Sequence, residues 1–197
     1  IDFTNWHWWM IDERCVKLDD KESNYLELKK NVLQPLNISE KNVYPIDEDK
    51  IGNPKECATA YESTLRSVVP SGVLDLLLFG MGPDGHCASL FPGHPLLKES
   101  HAWIREITDS PKPPPNRVTM TYPLIQLARS SVFIITGSGK ADALRDVTNQ
   151  RREMAKSGSI DSNSLPSARV RSQQLLFLVD SAAAEKLNST TQPINKL

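Results

Sequence analysis

The sequence has no excess of charge of either sign: 23 Lys and Arg against 24 Asp and Glu leave a formal net charge of −1 over 197 residues. That balance removes the electrostatic reason to expect a nucleic acid or an anionic membrane as partner, while a local basic pocket for a small anion stays compatible with it. A long apolar run is also missing. The longest, Val73 to Phe79, is interrupted by Asp75 and falls far short of the ~18 residues of a membrane-spanning helix. No charged-then-apolar leader opens the sequence, which starts at Ile1. Cysteine is scarce and unpatterned. Cys15, Cys57 and Cys87 are odd in number and show no metal-ligand spacing, so reduced thiols in a cytoplasmic protein are expected rather than disulfides, and no metal is expected. No internal repeat or clean boundary appears. A chain this long buries roughly 70% of its unfolded surface, so one domain over residues 1–197 is expected; the chain is also expected to be a monomer.

What is present alternates between strand-like and helix-like runs, the pattern of an α/β protein with a largely parallel sheet. Trp6 to Ile11 reads as a strand that turns acidic at Asp12-Glu13-Arg14. Tyr25, Leu28, Val32, Leu33 and Leu36 recur at helical spacing within Glu22 to Leu36, with Lys29-Lys30 on the outer face. Pro54 opens a second helix to about Val69. The continuous apolar run Val73 to Phe79 predicts a strand buried on both faces. Four prolines between Asp109 and Asn116 demand an extended loop. Further along, the expected elements are a strand over Arg117–Tyr122, a short helix over Pro123–Arg129 and a buried strand over Ser131–Thr136. A helix over Gly139–Gln150, a polar loop to Pro166, a strand over Leu175–Val179 and a helix over Ser181–Leu187 complete the series. Arg151-Arg152, like Lys29-Lys30, read as solvated surface.

Gly80-Met81-Gly82-Pro83-Asp84-Gly85 matches the spacing of a dinucleotide-binding turn. Such a site needs a helix immediately after the turn, its amides facing a pyrophosphate. Pro83 inside the turn and Pro92 shortly after it leave little room for one, so the match is read as fortuitous. Asp84-Gly85-His86 remains, at the carboxyl end of a strand, where ligands of open α/β sheets sit. A neutral imidazole there can accept a proton; the plain alternative is a histidine bonded within its own loop. Gly137-Ser138-Gly139 lacks the spacing of a nucleophile elbow, Gly139-Lys140 lacks the rest of a P-loop, and Cys87 is read as structural.

The run Gly80-Met81-Gly82-Pro83-Asp84-Gly85-His86-Cys87-Ala88-Ser89-Leu90-Phe91-Pro92 resembles the signature of the 6-phosphogluconolactonase family. So do Asp12-Glu13-Arg14-Cys15-Val16 with Glu22-Ser23-Asn24-Tyr25, Ser110 to Pro114 with Arg117-Val118-Thr119, Gly139-Lys140, and Leu165-Pro166 through Phe177-Leu178-Val179-Asp180. The resemblance implies a Rossmann-like open, mainly parallel sheet flanked by helices. Relative to the family, this sequence is expected to start after a first strand-helix unit, which in the family carries a glycine- and serine-rich phosphate loop. The resemblance implies hydrolysis of 6-phospho-D-glucono-1,5-lactone to 6-phosphogluconate without metal or cofactor. Glucosamine-6-phosphate deaminases share the fold and supply the rival activity, but they place a carboxylate after the D-G-H turn, where this chain has Cys87-Ala88-Ser89-Leu90-Phe91-Pro92. A relative that binds sugar phosphate or a partner without turnover is the non-enzymatic alternative.

For the lactonase, His86 is expected to activate a water as general base, a contribution of ~10²–10⁴-fold. Asp84 either holds the imidazole tautomer or stabilises the turn. Backbone amides around Gly82 and Gly85 are expected to face the developing oxyanion. The phosphate calls for cations. Arg14 has the planar fork that suits it, Lys140 matches a phosphate-binding lysine of the wider superfamily, and Arg117 is a weaker third. Asp12 either contacts sugar hydroxyls or caps local backbone.

Overall fold

The computed structural model describes residues 1–187. In chain order its strands are β1 (Trp8–Trp9), β2 (Asp12–Arg14), β3 (Val43–Tyr44), β4 (Leu76–Phe79), β5 (Ile104–Ile107), β6 (Arg117–Met120), β7 (Ser130–Ile135) and β8 (Gln174–Val179). Its α-helices are α1 (Asn24–Leu28), α2 (Pro54–Val68), α3 (Tyr122–Ile125), α4 (Ala141–Ser157) and α5 (Pro166–Arg169). The chain divides into two compact units, one of residues 1–70 with 104–120 and the other of residues 71–103 with 121 onward.

In the first unit the strand expected over Trp6–Ile11 is reduced to β1, and a second strand, β2, forms in the acidic residues that follow it. β1 pairs with β3 in parallel, whereas β2 joins an antiparallel sheet in the order β2-β6-β5. Met10 lies at the break. Its N–H donates to the buried Tyr61 hydroxyl at 2.9 Å, and that hydroxyl donates back to the Met10 carbonyl at 3.2 Å. A side chain on α2 thus satisfies both backbone groups that leave the ladder, as buried polar groups require. Asn53 caps α2 and Pro54 opens it, and the helix turns Cys57, Ala58, Tyr61 and Leu65 inward. The helix expected from Glu22 begins later: Ser23 caps α1, which widens into a π-turn over Lys29–Leu33. Met10, Tyr25, Leu33 and Val43 form this unit's core, with Trp8, Leu18, Leu28 and Ile38 packed against it. Trp9 stacks on Tyr44 at 4.1 Å and Trp6 on Trp8 at 5.4 Å.

The second unit carries the parallel sheet β4-β7-β8. Phe79, Phe133 and Phe177 occupy one register row, and their rings stack at 4.9 Å from strand to strand, the spacing of the backbone ladder itself. The expectation of strands buried on both faces is not met. Leu77 and Phe79 are buried, but Leu76 and Leu78 between them are 44% and 54% exposed, and Ile134 on β7 is 52% exposed. Apolar composition marks a strand but does not show which of its faces is covered.

α4 runs seven residues past its expected end, from 150 to 157, and closes on Gly158 in the left-handed conformation. Leu144, Val147, Arg151 and Met154 make its buried stripe, so Arg151 is not the solvated residue expected. The segment after β8 is a series of turns rather than the helix expected over Ser181–Leu187. Trp103, just before β5, closes on Gly72, where a Cβ would stand 2.7 Å from the indole ring.

Candidate active site

β4 ends at Phe79, and within a few residues the chain turns through Pro83-Asp84-Gly85. The turn is tied by its own backbone. The Gly82 N–H donates to the His86 carbonyl and the Gly85 N–H to the Gly82 carbonyl, both at 2.9 Å. Neither amide is therefore presented to a developing oxyanion, and the expectation for Gly82 and Gly85 is not met. The two glycines have other reasons to be there. A Cβ on Gly82 would stand 2.0 Å from His86 Nδ1 and 2.4 Å from Asp84 Oδ1, so the histidine ring lies over a bare Cα. Gly85 has φ +76°, and a Cβ there would meet Leu165 at 2.8 Å.

His86 Nδ1 and Asp84 Oδ1 are 2.5 Å apart, and the imidazole packs against Phe91 with centroids 4.9 Å apart. Asp84 thus stands beside the ring while itself forming part of the turn. A carboxylate against Nδ1 fixes the proton on that nitrogen and makes Nε2 the basic one. Cys87 is buried, as its structural reading requires. α5 clamps the turn from outside: the Ser167 N–H and Oγ–H both donate to the Gly85 carbonyl, at 3.0 and 2.9 Å. Neither Ser167 nor its helix was foreseen, because four residues are too few to show a periodicity. α5 is held in turn by Arg151, whose Nη1 donates to the carbonyls of Ala168 and Val170 at 3.0 and 2.8 Å. Burial pushes the Arg151 guanidinium down to about 10, so it stays charged at neutral pH.

Lys140 belongs to the same unit. β7 is the parallel neighbour of β4, so the segments that follow both strands emerge at the same, carboxyl edge of the sheet. Lys140 ends a short 3-10 turn over Ser138–Lys140 and forms the N-cap of α4. Asp180, at the end of β8, fixes the approach: both its carboxylate oxygens accept from the Gly137 N–H, at 3.1 and 3.0 Å.

Asp12, Arg14 and Arg117 lie together in the first unit. Arg14 stands opposite Arg117 in the β2–β6 register. Arg117 is buried, and its guanidinium holds the proline loop: Nε donates to the Pro114 carbonyl at 3.0 Å, and Nη2 to those of Lys112 and Pro113 at 2.9 and 3.1 Å. Burial first, and then the neighbouring Arg14 charge, lower its pKa. Arg117 thus ties the proline loop to β6 from a buried position. Asp12 Oδ2 lies 3.9 Å from Arg117 Nη1, and Asn24 Nδ2 donates to the Asp12 carbonyl at 2.7 Å. Arg14 Nη1 donates to the Glu22 carbonyl at 2.6 Å, and its side chain keeps 25% exposure. Among the described residues, no three His, Cys, Asp or Glu side chains gather to hold a metal ion, and no helix is long and apolar enough to cross a membrane.

The profile of the family described as glucosamine-6-phosphate isomerases/6-phosphogluconolactonase matches residues 1–178, across both units. "Probable 6-phosphogluconolactonase 5" of Arabidopsis thaliana is 36% identical over 95% of this chain and 76% of its own length. "Probable 6-phosphogluconolactonase" of Schizosaccharomyces pombe is 40% identical over 84% of this chain and 68% of its own. The chain spans only 59% of the rice relative "Probable 6-phosphogluconolactonase 3, chloroplastic". The crystal structure of the Thermotoga maritima 6-phosphogluconolactonase superposes with a TM-score of 0.74 at 26% identity, over 91% of this chain and 74% of that one. A monomeric glucosamine-6-phosphate deaminase, 20% identical with a TM-score of 0.62, shares the fold. The chain belongs to the glucosamine-6-phosphate isomerase/6-phosphogluconolactonase family.

Proposed function

We propose that the chain hydrolyses 6-phospho-D-glucono-1,5-lactone to 6-phosphogluconate, the second step of the oxidative pentose phosphate pathway. The observation that carries this reading is the Asp84–His86 pair, 2.5 Å apart, at the edge of the parallel sheet from which Lys140 also emerges. His86 Nε2 takes a proton from water as its oxygen attacks the lactone carbonyl. The tetrahedral intermediate then collapses, the bond from the carbonyl carbon to the ring oxygen breaks, and the imidazolium returns its proton to that oxygen. Asp84 stabilises the imidazolium between the two transfers. An ester already activated as a lactone needs no metal or cofactor for this path.

Lys140 and Arg14 are assigned to the phosphate, the lysine as a point charge at a helix start and the arginine as a planar fork. Asp12 is assigned to sugar hydroxyls. The reading treats both units as one catalytic domain, monomeric, with no nucleic-acid partner. It places the protein in a reducing compartment, the cytoplasm by three cysteines that form no disulfide among the described residues; the names of several relatives specify the chloroplast.

The test is turnover of freshly made lactone by the chain and by His86→Ala. The wild type is expected to hydrolyse it, before and after dialysis against a strong chelator, and the variant to be slower by ~10²-fold or more. A wild type without activity above the spontaneous rate overturns the reading. A near-normal His86→Ala removes this residue from the mechanism.

A further inference from the structure

Glu13 is the most deeply buried carboxylate of the described chain, 1% exposed, and no cation is paired with it. Strand alternation explains the burial: in β2, Asp12 and Arg14 face one way and Glu13 the other. Its two oxygens receive four hydrogen bonds. Oε1 accepts from the N–H groups of Arg14 and Asn24, at 2.8 and 2.7 Å. Oε2 accepts from the Tyr25 N–H at 2.8 Å and from the Ser23 hydroxyl at 3.0 Å. Burial raises its pKa and the four donors oppose that rise. All four partners donate, so the place suits an acceptor-only carboxylate. A glutamine amide would turn its own N–H groups toward donors.

The same carboxylate therefore fixes the backbone of Arg14 and the start of α1. Glu22, whose carbonyl holds the Arg14 guanidinium at 2.6 Å, is the residue just before that start. We propose that Glu13 is a positioning residue. By tying the Arg14 backbone to the 22–25 segment, it aims the Arg14 guanidinium at the substrate phosphate. This rests on the proposed lactonase function, and the geometry adds to it a residue that touches no substrate.

The test uses the full chain and a double-mutant cycle of Glu13→Gln and Arg14→Ala, with kcat and KM measured on phosphorylated and unphosphorylated gluconolactone. Glu13→Gln is expected to raise KM for the phosphorylated lactone about tenfold, the lower end of losing a hydrogen bond to a charged group, with kcat changed less than about threefold. The preference for the phosphorylated over the unphosphorylated lactone should fall by the same factor. In the Arg14→Ala background, Glu13→Gln should lower that preference no further. An unchanged preference, or two effects that simply multiply, overturns the proposal and leaves Glu13 a fold element only. If Glu13→Gln fails to fold by circular dichroism, Ser23→Ala, which removes one donor, should raise the same KM about two- to threefold; a folded Ser23→Ala with unaltered KM counts against the proposal. A wild type without turnover defeats the proposed function instead, and the Kd for 6-phosphogluconate, measured by calorimetry in wild type and Glu13→Gln, still decides the role of Glu13.

Discussion

At the scale of single residues, Gly82 and Gly85 separate two duties that the sequence presents as one motif. Gly82 does not have a positive φ, so alanine fits its backbone; what alanine cannot share is the space of the His86 ring. Gly85 sits at φ +76° against Leu165, where any side chain is strained. Gly82→Ala is therefore expected to lower turnover by ~10²-fold or more while shifting Tm by only a few degrees. Gly85→Ala should destabilise the fold by ~1–3 kcal/mol. Thermal melts beside kinetics check both; equal losses of stability in the two variants would sink the distinction. The D-G-H turn was legible because its residue types and place after a strand announce chemistry. The part of Glu13 was not, since a charged residue between two others reads as surface until its donors are seen.

At the scale of elements, α4 shows where periodicity was available and was not followed. Val147 and Met154 are seven residues apart on one stripe, and position 151 lies on that stripe between them. Charge suggested solvent there, but the spacing pointed inward, and the spacing decided. α5 and β5, four residues each, are too short to declare a period at all and form because tertiary partners hold them. Through Arg151, α4 holds α5, and through Ser167, α5 holds the carbonyl of Gly85. Arg151→Met preserves the apolar stem and removes the donors, leaving two buried carbonyls without that partner. It is expected to destabilise the protein by ~1.5–3 kcal/mol, the worth of hydrogen bonds to a charged group, as read by urea melts. Because the clamp reaches the His86 turn, kcat should fall as well. Unchanged kcat in the folded variant would show that α5 stabilises without ordering the turn.

At the scale of the whole molecule, the α/β class and the presence of a parallel sheet follow from the alternation of runs, whereas the strand order β4-β7-β8 and the antiparallel β2-β6-β5 sheet do not. β2 comes from a part of the chain far from the β5–β6 hairpin it joins, and nothing local records that Arg14 will face Arg117. The same pairing means that the first unit is not continuous in sequence: it takes back residues 104–120 after the chain has entered the second. Among the described residues β2 pairs with β6 alone, so a fragment of residues 1–70 loses that partner along with the loop that Arg117 holds. Such a fragment is expected to be largely unfolded by circular dichroism and amide exchange. A cooperative melt from it would show that the 104–120 hairpin is dispensable.

The placing of the aromatic residues also gives the molecule optical labels. Of the four tryptophans, Trp6, Trp8 and Trp9 belong to the first unit, in stacked pairs that include Tyr44, and Trp103 to the second, against Gly72. Rings stacked at 4.1 and 5.4 Å couple their electronic transitions, so near-ultraviolet dichroism is dominated by the first unit. The emission that disappears in Trp103→Phe belongs to the second. One denaturation series recorded in both signals thus follows each unit separately, without any added dye.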